Sequence, residues 1–372
     1  MKCKLSDICS FRKGKVEVES LNAKNYISTE NMLPNKCGIT EASSLPTVSL
    51  TQEYKNGDVL VSNIRPYFKK IWQAQYDGGC SNDVLVFVPK PNTDKDFLYY
   101  VLADDDFFTY SMATSKGTKM PRGDKTSIMQ YEVPLIDLQV QEKIASVLKA
   151  LDKKIELNNE INNNLEQQAQ AIYQQMFIDN ASSDWTEGTL NDIADITMGQ
   201  SPSGSSYNED GNGIIFFQGR AEFGFRFPAV RLYTTEPKRK ACANDTLMSV
   251  RAPVGDLNVA HTDCCIGRGL AAIHSKNNHQ SFVLYTMFSL KKQLDVFNGE
   301  GTVFGSINRN SLNEMPILIP SNEKLDEFET LVAPMDAAIR NNYDEICRLR
   351  QLRDSLLPKL MSGELDVSDI DI

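Results

Sequence analysis

From Gln141 to Phe177 the chain reads QEKIASVLKALDKKIELNNEINNNLEQQAQAIYQQMF, without proline or glycine. Apolar side chains recur at alternating steps of four and three: Ile144, Leu148, Leu151 and Ile155, then Leu165, Ala169, Ile172 and Met176. Asn158 and Asn162 hold the two central places. This heptad spacing predicts one long helix buried along a narrow seam. Buried asparagine costs stability and fixes register; the alternative is that both face solvent and Ile161 is buried instead. A seam needs a partner, and the constant offset that carries Ile144 onto Phe328 supplies it. The same offset continues through Val332, Met335, Ile339, Asn342, Ile346, Leu349, Arg353, Leu356 and Leu360. It also matches Asn158 with Asn342, Asp152 with Asp336 and Gln167 with Gln351. Pro334 lies within the second stretch. Interior proline removes a hydrogen bond and costs about 3 kcal/mol, so a kink or restart is expected near 334, with the long part running from Asp336 to Met361.

Each helical stretch follows a segment of mixed pattern. Val59-Leu60-Val61, after the turn residues Asn56-Gly57-Asp58, and Val84 to Val88, closed by Pro89, read as strands. Asp96 to Tyr110 has helical spacing. The second copy repeats the plan: Leu190, Asp192, Ile193 and Gly199 follow Leu5, Asp7, Ile8 and Gly14 at one shared offset. Asn244-Asp245-Thr246-Leu247-Met248-Ser249 parallels Gly57 to Ser62, and an Arg-containing turn follows each, Arg65-Pro66 and Arg251-Ala252-Pro253. Gly117-Thr118 and Gly301-Thr302 precede Pro134 and Pro316. The internal repeat gives four segments: domain 1–137, helix 138–180, domain 181–320, and a helical region with an acidic tail, 321–372. The implied fold class is α+β, with two tandem globular α/β domains, each followed by a long coiled-coil helix. The loops match poorly. SPSGSSYNEDGNG has no counterpart in the first copy, as expected for two readers with different targets.

Net charge is −10, which at face value opposes nucleic-acid binding. By segment the four carry 17 basic and 17 acidic residues, 4 and 6, 12 and 14, and 6 and 12. The acidity therefore sits in the last segment, and either globular domain can present a basic face. No apolar run reaches the roughly 18–20 residues that span a bilayer, and MKCKLSDICSFRKGK lacks a signal-peptide core. Scattered cysteines fit reduced thiols, so a cytoplasmic location is expected. No phosphate loop, dinucleotide fingerprint, nucleophile elbow or Asn-Pro-Pro-aromatic methyltransferase signature appears, and no catalytic residue is assigned. His261, His274 and His279 lie near Cys264-Cys265, but their spacing matches no usual zinc pattern. The cysteines read instead as a strand-edge core pair, and Asp104-Asp105-Asp106 as a solvated acidic helix face. No metal site is expected.

Three signatures carry a resemblance across nearly the whole chain. They are Val133-Pro134-Leu135 followed by QEKI and LDKKI; the run from Met198 to Gly224, MGQSPSG through GIIFFQGRAEFG; and LLPKLMSG from Leu356 to Gly363. In this order the chain resembles the specificity subunit of a type I restriction–modification system. The first copy departs from the pattern, with RKGKVEVES in place of a GQSP-like stretch. The resemblance implies two long antiparallel helices and a pseudo-twofold repeat, in which each globular domain is a target recognition domain reading one half of a split duplex sequence. The helices would hold the halves apart, about 50 Å for 35 residues against a DNA turn of about 34–36 Å. It implies docking of methyltransferase subunits, two of them, on the helices, with restriction/translocase subunits as further partners. The acidic second helix and tail then become partner surface. S-adenosylmethionine, ATP and Mg would reside on the partners, in an adenine-N6 methyltransferase and ATP-dependent endonuclease complex whose specificity chain is not an enzyme. A methylation-only assembly and a protein-binding coiled-coil scaffold remain alternatives.

Phosphate contacts come from Lys and Arg, and base contacts from Arg, Asn, Gln, Ser and Thr. In the first domain the candidates are Arg65, Tyr67, Lys69 and Lys70 in NIRPYFKK, and Lys116, Thr118, Lys119, Arg122 and Lys125 in the Gly-containing loop. In the second they are Gln200, Ser201, Ser203, Gln218, Arg220, Arg251, Arg268, Thr302, Asn308 and Arg309.

Overall fold

A computed structural model describes residues 2–117, 119–299 and 305–367. The chain forms two compact units: residues 1–157 with 345–372, and residues 158–344. Both long helices contribute to each unit. The first spans Leu138–Tyr173 and ends in a wider turn, Gln174–Asp179. The second spans Asn322–Ser362.

In the first unit, strand Lys2–Lys4 pairs antiparallel with Glu132–Pro134. A single helical turn, Leu5–Ile8, follows, and the Lys4 N–H donates to the Asp7 carboxylate at 2.8 Å. A four-stranded antiparallel sheet is ordered Cys9–Phe11, Val84–Pro89, Val59–Ser62, Ile71–Gln73. Its inner strands are buried on both faces. Val59, Val61, Leu85 and Phe87 meet the helices, and Leu60, Val84 and Val86 meet Tyr54 and Trp72 beside the second sheet. That second sheet runs Lys15–Glu17, Leu50–Tyr54, Gly78–Cys80, Tyr26–Ile27, with only the last pair parallel.

The second unit repeats this order. Thr186–Thr189 pairs with Pro316–Ile319, and Leu190–Ile193 is again one turn, with the Thr189 N–H donating to Asp192 at 2.7 Å. The sheet Ala194–Met198, Leu270–Ser275, Thr246–Ser249, Leu257–Val259 matches its counterpart strand for strand. The turns entering Val59–Ser62 and Thr246–Ser249 are alike. Gly57 and Asn244 are both left-handed, with φ +90° and +74°, and Asp58 and Asp245 each accept a backbone N–H from three residues earlier at 2.8 Å. The second sheets diverge at opposite edges. The common parallel pair is extended by Tyr207–Asn208 and Leu232–Thr234 in the second unit, and by Lys15–Glu17 in the first. Poor loop matching in the sequence has this physical form: a shared centre with different additions.

The heptad seam is buried as its pattern predicts. Ile144, Leu148, Ile155, Ile339, Ile346 and Leu360 are buried, and Leu151, Leu165, Ile172, Leu349 and Leu356 partly so. Asn158 is 1% exposed and Asn162 3%, whereas Ile161 is 37% exposed, so the asparagines lie in the seam. Asn342 donates to the Asn162 side-chain oxygen at 2.8 Å. In the first unit Arg353, at a seam position, pairs with Asp152 at 2.7 Å, and Lys154 lies 3.6 Å from Glu345. Partner numbers fall as chain numbers rise in both units, so the helices run antiparallel.

Three expectations change. The second helix does not restart at Pro334; one helix of 41 residues runs through it. Pro334 is exposed, so the carbonyl it deprives of a partner can reach water, while Phe328, Val332 and Ile339 on the buried side hold both flanks. The segment Asp96–Tyr110 is two helices, Lys95–Ala103 and Asp105–Ala113, because Asp104 caps the second by accepting from the Asp106 N–H. The aspartates do form a solvated acidic first turn, with Asp105 and Asp106 exposed, and the fold adds roles to it: Asp104 is a cap, and Asp105 holds Lys36 at 2.8 Å and Lys69 at 2.7 Å. Finally, Cys264–Ile266 is an inner strand between Ile214–Phe217 and Lys240–Ala241, not an edge.

Candidate nucleic-acid interface

Each long helix carries a second, polar stripe against its domain. On the first helix it comprises Gln141, Ala145, Lys149 and Asp152. Gln141 accepts from the Asp94 N–H at 3.0 Å, Lys149 pairs with Asp96, and the Tyr100 hydroxyl donates to Asp152 at 2.7 Å. On the second helix Glu329 accepts from the Phe282 N–H at 2.9 Å, and Asp336 accepts from the Tyr285 hydroxyl at 2.9 Å. Asp326 and Asp344 meet His279 and His261, while His274 meets Asp245, so the three histidines turn to three separate carboxylates. Much of the second helix's acidity is therefore engaged by its own domain rather than offered outward. The sequence signal was present as charged residues beside alanines at helical spacing, outside the apolar seam.

Arg226, which the sequence reading passed over, lies at the centre of this contact. It is 4% exposed, donates to the Tyr285 hydroxyl at 3.0 Å, and lies 3.2 Å from Glu166 and 3.3 Å from Asp336. The Glu166 contact is ionic without hydrogen-bond alignment. Burial pushes the Asp336 and Glu166 carboxyls up, against the attraction of Arg226. In the first unit the corresponding Asp152 receives Arg353 from the other helix.

In the second domain several glycines let three loops converge. A Cβ on Gly199 would lie 2.1 Å from the Gly267 carbonyl oxygen, and one on Gly267 would lie 2.8 Å from that of Gln218. Gln200 donates its N–H to the Ile266 carbonyl at 2.9 Å, and the Arg268 N–H donates to the Ser201 hydroxyl at 3.3 Å. The result is an open cleft of about 380 Å³ lined by Ser201, Gln218, Arg220, Arg231, Arg251 and Arg268, with Glu222 and Ser249. Arg220 is neutralised by Asp256 at 2.9 Å and Arg231 by Glu222 at 3.0 Å. Arg251 and Arg268 are exposed and have no carboxylate partner among the described residues. Two planar guanidinium forks, an amide and a hydroxyl around one concavity suit phosphate oxygens and base edges. Arg231, Glu222 and Ser249 line the cleft without having been candidates from the sequence; nothing in the flanking pattern of Arg231 marks it. Gln200 and Ser203 are exposed beside the cleft, outside its lining. Asn308 caps the helix Arg309–Asn313 by accepting from the Ser311 N–H at 2.9 Å, and Arg309 is exposed on that turn. Thr302 lies outside the described residues.

In the first domain the two candidate loops are one structure. Ile64 bridges to Arg122, Lys116 also bridges to Arg122, and the Arg65 N–H donates to the Pro121 carbonyl at 2.9 Å. Several of their cations are already engaged. Lys69 is held by Asp105, and the Lys70 ammonium donates to the Thr29 carbonyl at 2.6 Å. Partial burial pulls the Lys70 pKa down, against the attraction of Glu30. Lys116 pairs with Asp124 and Arg122 with Asp83, both at 2.7 Å. The Lys116 hydrogen bond, with two from Ser127, holds Asp124 down at about 2. Arg65, Lys119 and Lys125 are exposed without a carboxylate partner among the described residues, Lys125 lying 5.9 Å from the Phe11 ring centre. Tyr67 is exposed at the turn. Thr118 lies outside the described residues.

The family described as "Type I restriction modification DNA specificity domain" matches residues 1–167 and again 182–332. A Methanocaldococcus jannaschii protein provisionally named the type I restriction enzyme MjaX specificity subunit is 29% identical over 340 residues, covering 84% of this chain and 79% of that one. The type I restriction enzyme HindI specificity subunit of Haemophilus influenzae is 23% identical, covering 91% and 94%. Among solved structures, the type I restriction–modification S subunit from M. genitalium shares the fold at a TM-score of 0.60, with 16% identity and 97% and 96% coverage.

Proposed function

The chain belongs to the family of type I restriction–modification DNA specificity subunits, and on that premise we propose that it reads a split duplex target, one half with each recognition domain. The observation that carries this reading is the repeat itself. The same strand-and-turn scaffold is built twice, and each copy presents its own loop cluster of exposed cations at equivalent turns, Arg65 in one and Arg251 in the other. The second domain reads through Gln218, Arg251 and Arg268, and the first through Arg65, Tyr67, Lys119 and Lys125. Differing loops on a shared scaffold give two different half-sites.

Methyltransferase subunits, two of them, dock on the outer faces of the long helices, and restriction/translocase subunits join through them. S-adenosylmethionine, ATP and Mg belong to those partners. The specificity chain positions and does not catalyse, and it works in the cytoplasm. No helix among the described residues is long and apolar enough to cross a membrane.

The test is a map of N6-methyladenine in DNA after co-expression with the cognate methyltransferase subunit. A split motif with an unspecified spacer is expected; a continuous motif refutes the reading. Exchanging residues 1–137 for those of another family member should change one half of the motif only.

A further inference from the structure

The two domains differ in what they place at the same turn. In both, an inner strand ends in a serine, Ser62 or Ser249, whose hydroxyl donates to a carbonyl of the following turn at 3.1 or 2.7 Å. In both, that turn bridges to a second loop, Ile64 to Arg122 and Arg251 to Ser306. In the second domain the turn continues Ala252-Pro253-Val254, with Val254 fully buried. In the first it continues Pro66-Tyr67-Phe68, with Tyr67 49% and Phe68 37% exposed. The two rings lie 4.6 Å apart at 52°, and Met120, 51% exposed, stands on the bridged loop.

This aromatic tip is rigid. Arg65 and Lys69, flanking the turn Pro66–Phe68, are both left-handed, at φ 51° and 50°, a conformation that non-glycine residues adopt only when the surroundings impose it. Those surroundings are visible. The Phe68 and Lys69 carbonyls accept N–H groups from Asn35 and Lys36 at 2.8 and 2.9 Å, and the Arg65 N–H is held by Pro121. Half-exposed aromatic rings fixed in place, on a tip whose nearby lysines Lys69 and Lys70 are internally engaged, are poorly explained by phosphate binding. Arg65, at the start of the turn, and Lys119, on the bridged loop, are exposed and have no carboxylate partner among the described residues, as for an apolar insertion into a polyanion.

We propose that Tyr67 and Phe68 form a wedge that presses into one base step of the half-site read by the first domain and partly unstacks it. The first domain thus reads its half partly by how easily that step opens, whereas the second reads by arginine contacts. Apolar side chains inserted between base steps unstack and kink duplex DNA at a cost that depends on the step. This inference rests on the DNA-reading function above.

The test uses the full chain with its co-expressed methyltransferase subunit and duplexes carrying the mapped motif. 2-Aminopurine is placed at successive adenine positions of each half-site. Wild type should bind and raise fluorescence several-fold at one step of the first domain's half. Tyr67→Ala with Phe68→Ala should abolish that rise and weaken binding about tenfold, and Tyr67→Phe should preserve both. Both replaced rings are half exposed, and an unchanged melting curve would confirm the fold. Binding without a fluorescence rise, or a rise that survives the double substitution, overturns the wedge and leaves DNA reading standing. A double variant that unstacks normally but loses its protein partners would assign the tip to a protein interface and also overturn it. Failure of wild type to bind any motif-bearing duplex refutes the DNA reading and the wedge together.

Discussion

Arg226→Ala should destabilise the second unit far more than Arg353→Ala destabilises the first, although both arginines serve matched aspartates. Arg226 is 4% exposed and faces Glu166 at 3.2 Å and Asp336 at 3.3 Å. Removing it leaves two carboxyls in a poorly hydrated site with one cation fewer than they need. Breaking a buried pair by deleting one partner costs about 3–5 kcal/mol. For a unit of this size that lowers its melting temperature by about 6–20 °C. The Arg353 and Asp152 side chains are 21% and 29% exposed, so water replaces much of the lost interaction and the cost is about 1 kcal/mol. The deficit of Arg226→Ala should also depend on pH. Burial already raises both carboxyls, and losing the cation raises them further. A raised carboxyl contributes stability that is present below its unfolded pKa and lost as pH rises through the folded value. The variant should therefore recover partly as the pH is lowered from neutral toward the ordinary carboxylate range, and Asp336→Asn in the same background should restore part of the loss at neutral pH. Calorimetry, with hydrogen exchange over the helix Gln280–Ser289, reads the outcome. Equal melting losses in the two arginine variants, or a deficit that does not change with pH, would refute the argument from burial.

Pro334→Ala should stabilise the protein by up to about 3 kcal/mol, because the helix already runs through that position without the hydrogen bond that alanine would restore; a lower melting temperature would contradict this. Asn162→Leu combined with Asn342→Leu should raise the melting temperature by replacing a buried polar pair, yet loosen register; cysteine cross-links placed one heptad out of register should then form where wild type gives none. Arg251→Ala and Arg268→Ala should each relax the second half-site, by about 1–3 kcal/mol per lost base contact, and leave the first unchanged, as measured by methylation of half-site variants.

The sequence alone determined the elements whose physics is local or periodic. Side chains that alternate at steps of three and four must lie on one helix face, so the seam was legible to the residue, including Asn158 and Asn162. A constant offset that carries Asn158 onto Asn342 and preserves the seam reveals the duplication before any coordinate is known. The strands Val59–Ser62 and Val84–Pro89 were visible because β-branched runs between turn residues have few other solutions. Tertiary structure decided what depends on neighbours distant in the chain. Pro334 stays helical because its face is exposed while its flanks are anchored. Asp105 neutralises Lys69, and Asp83 neutralises Arg122, across intervals of chain that no periodicity links. Arg226 is a lone arginine in the sequence and a buried hub in the fold, because its partners come from both long helices. Charge can be counted along a chain, but which charges remain available to a partner is settled only by packing.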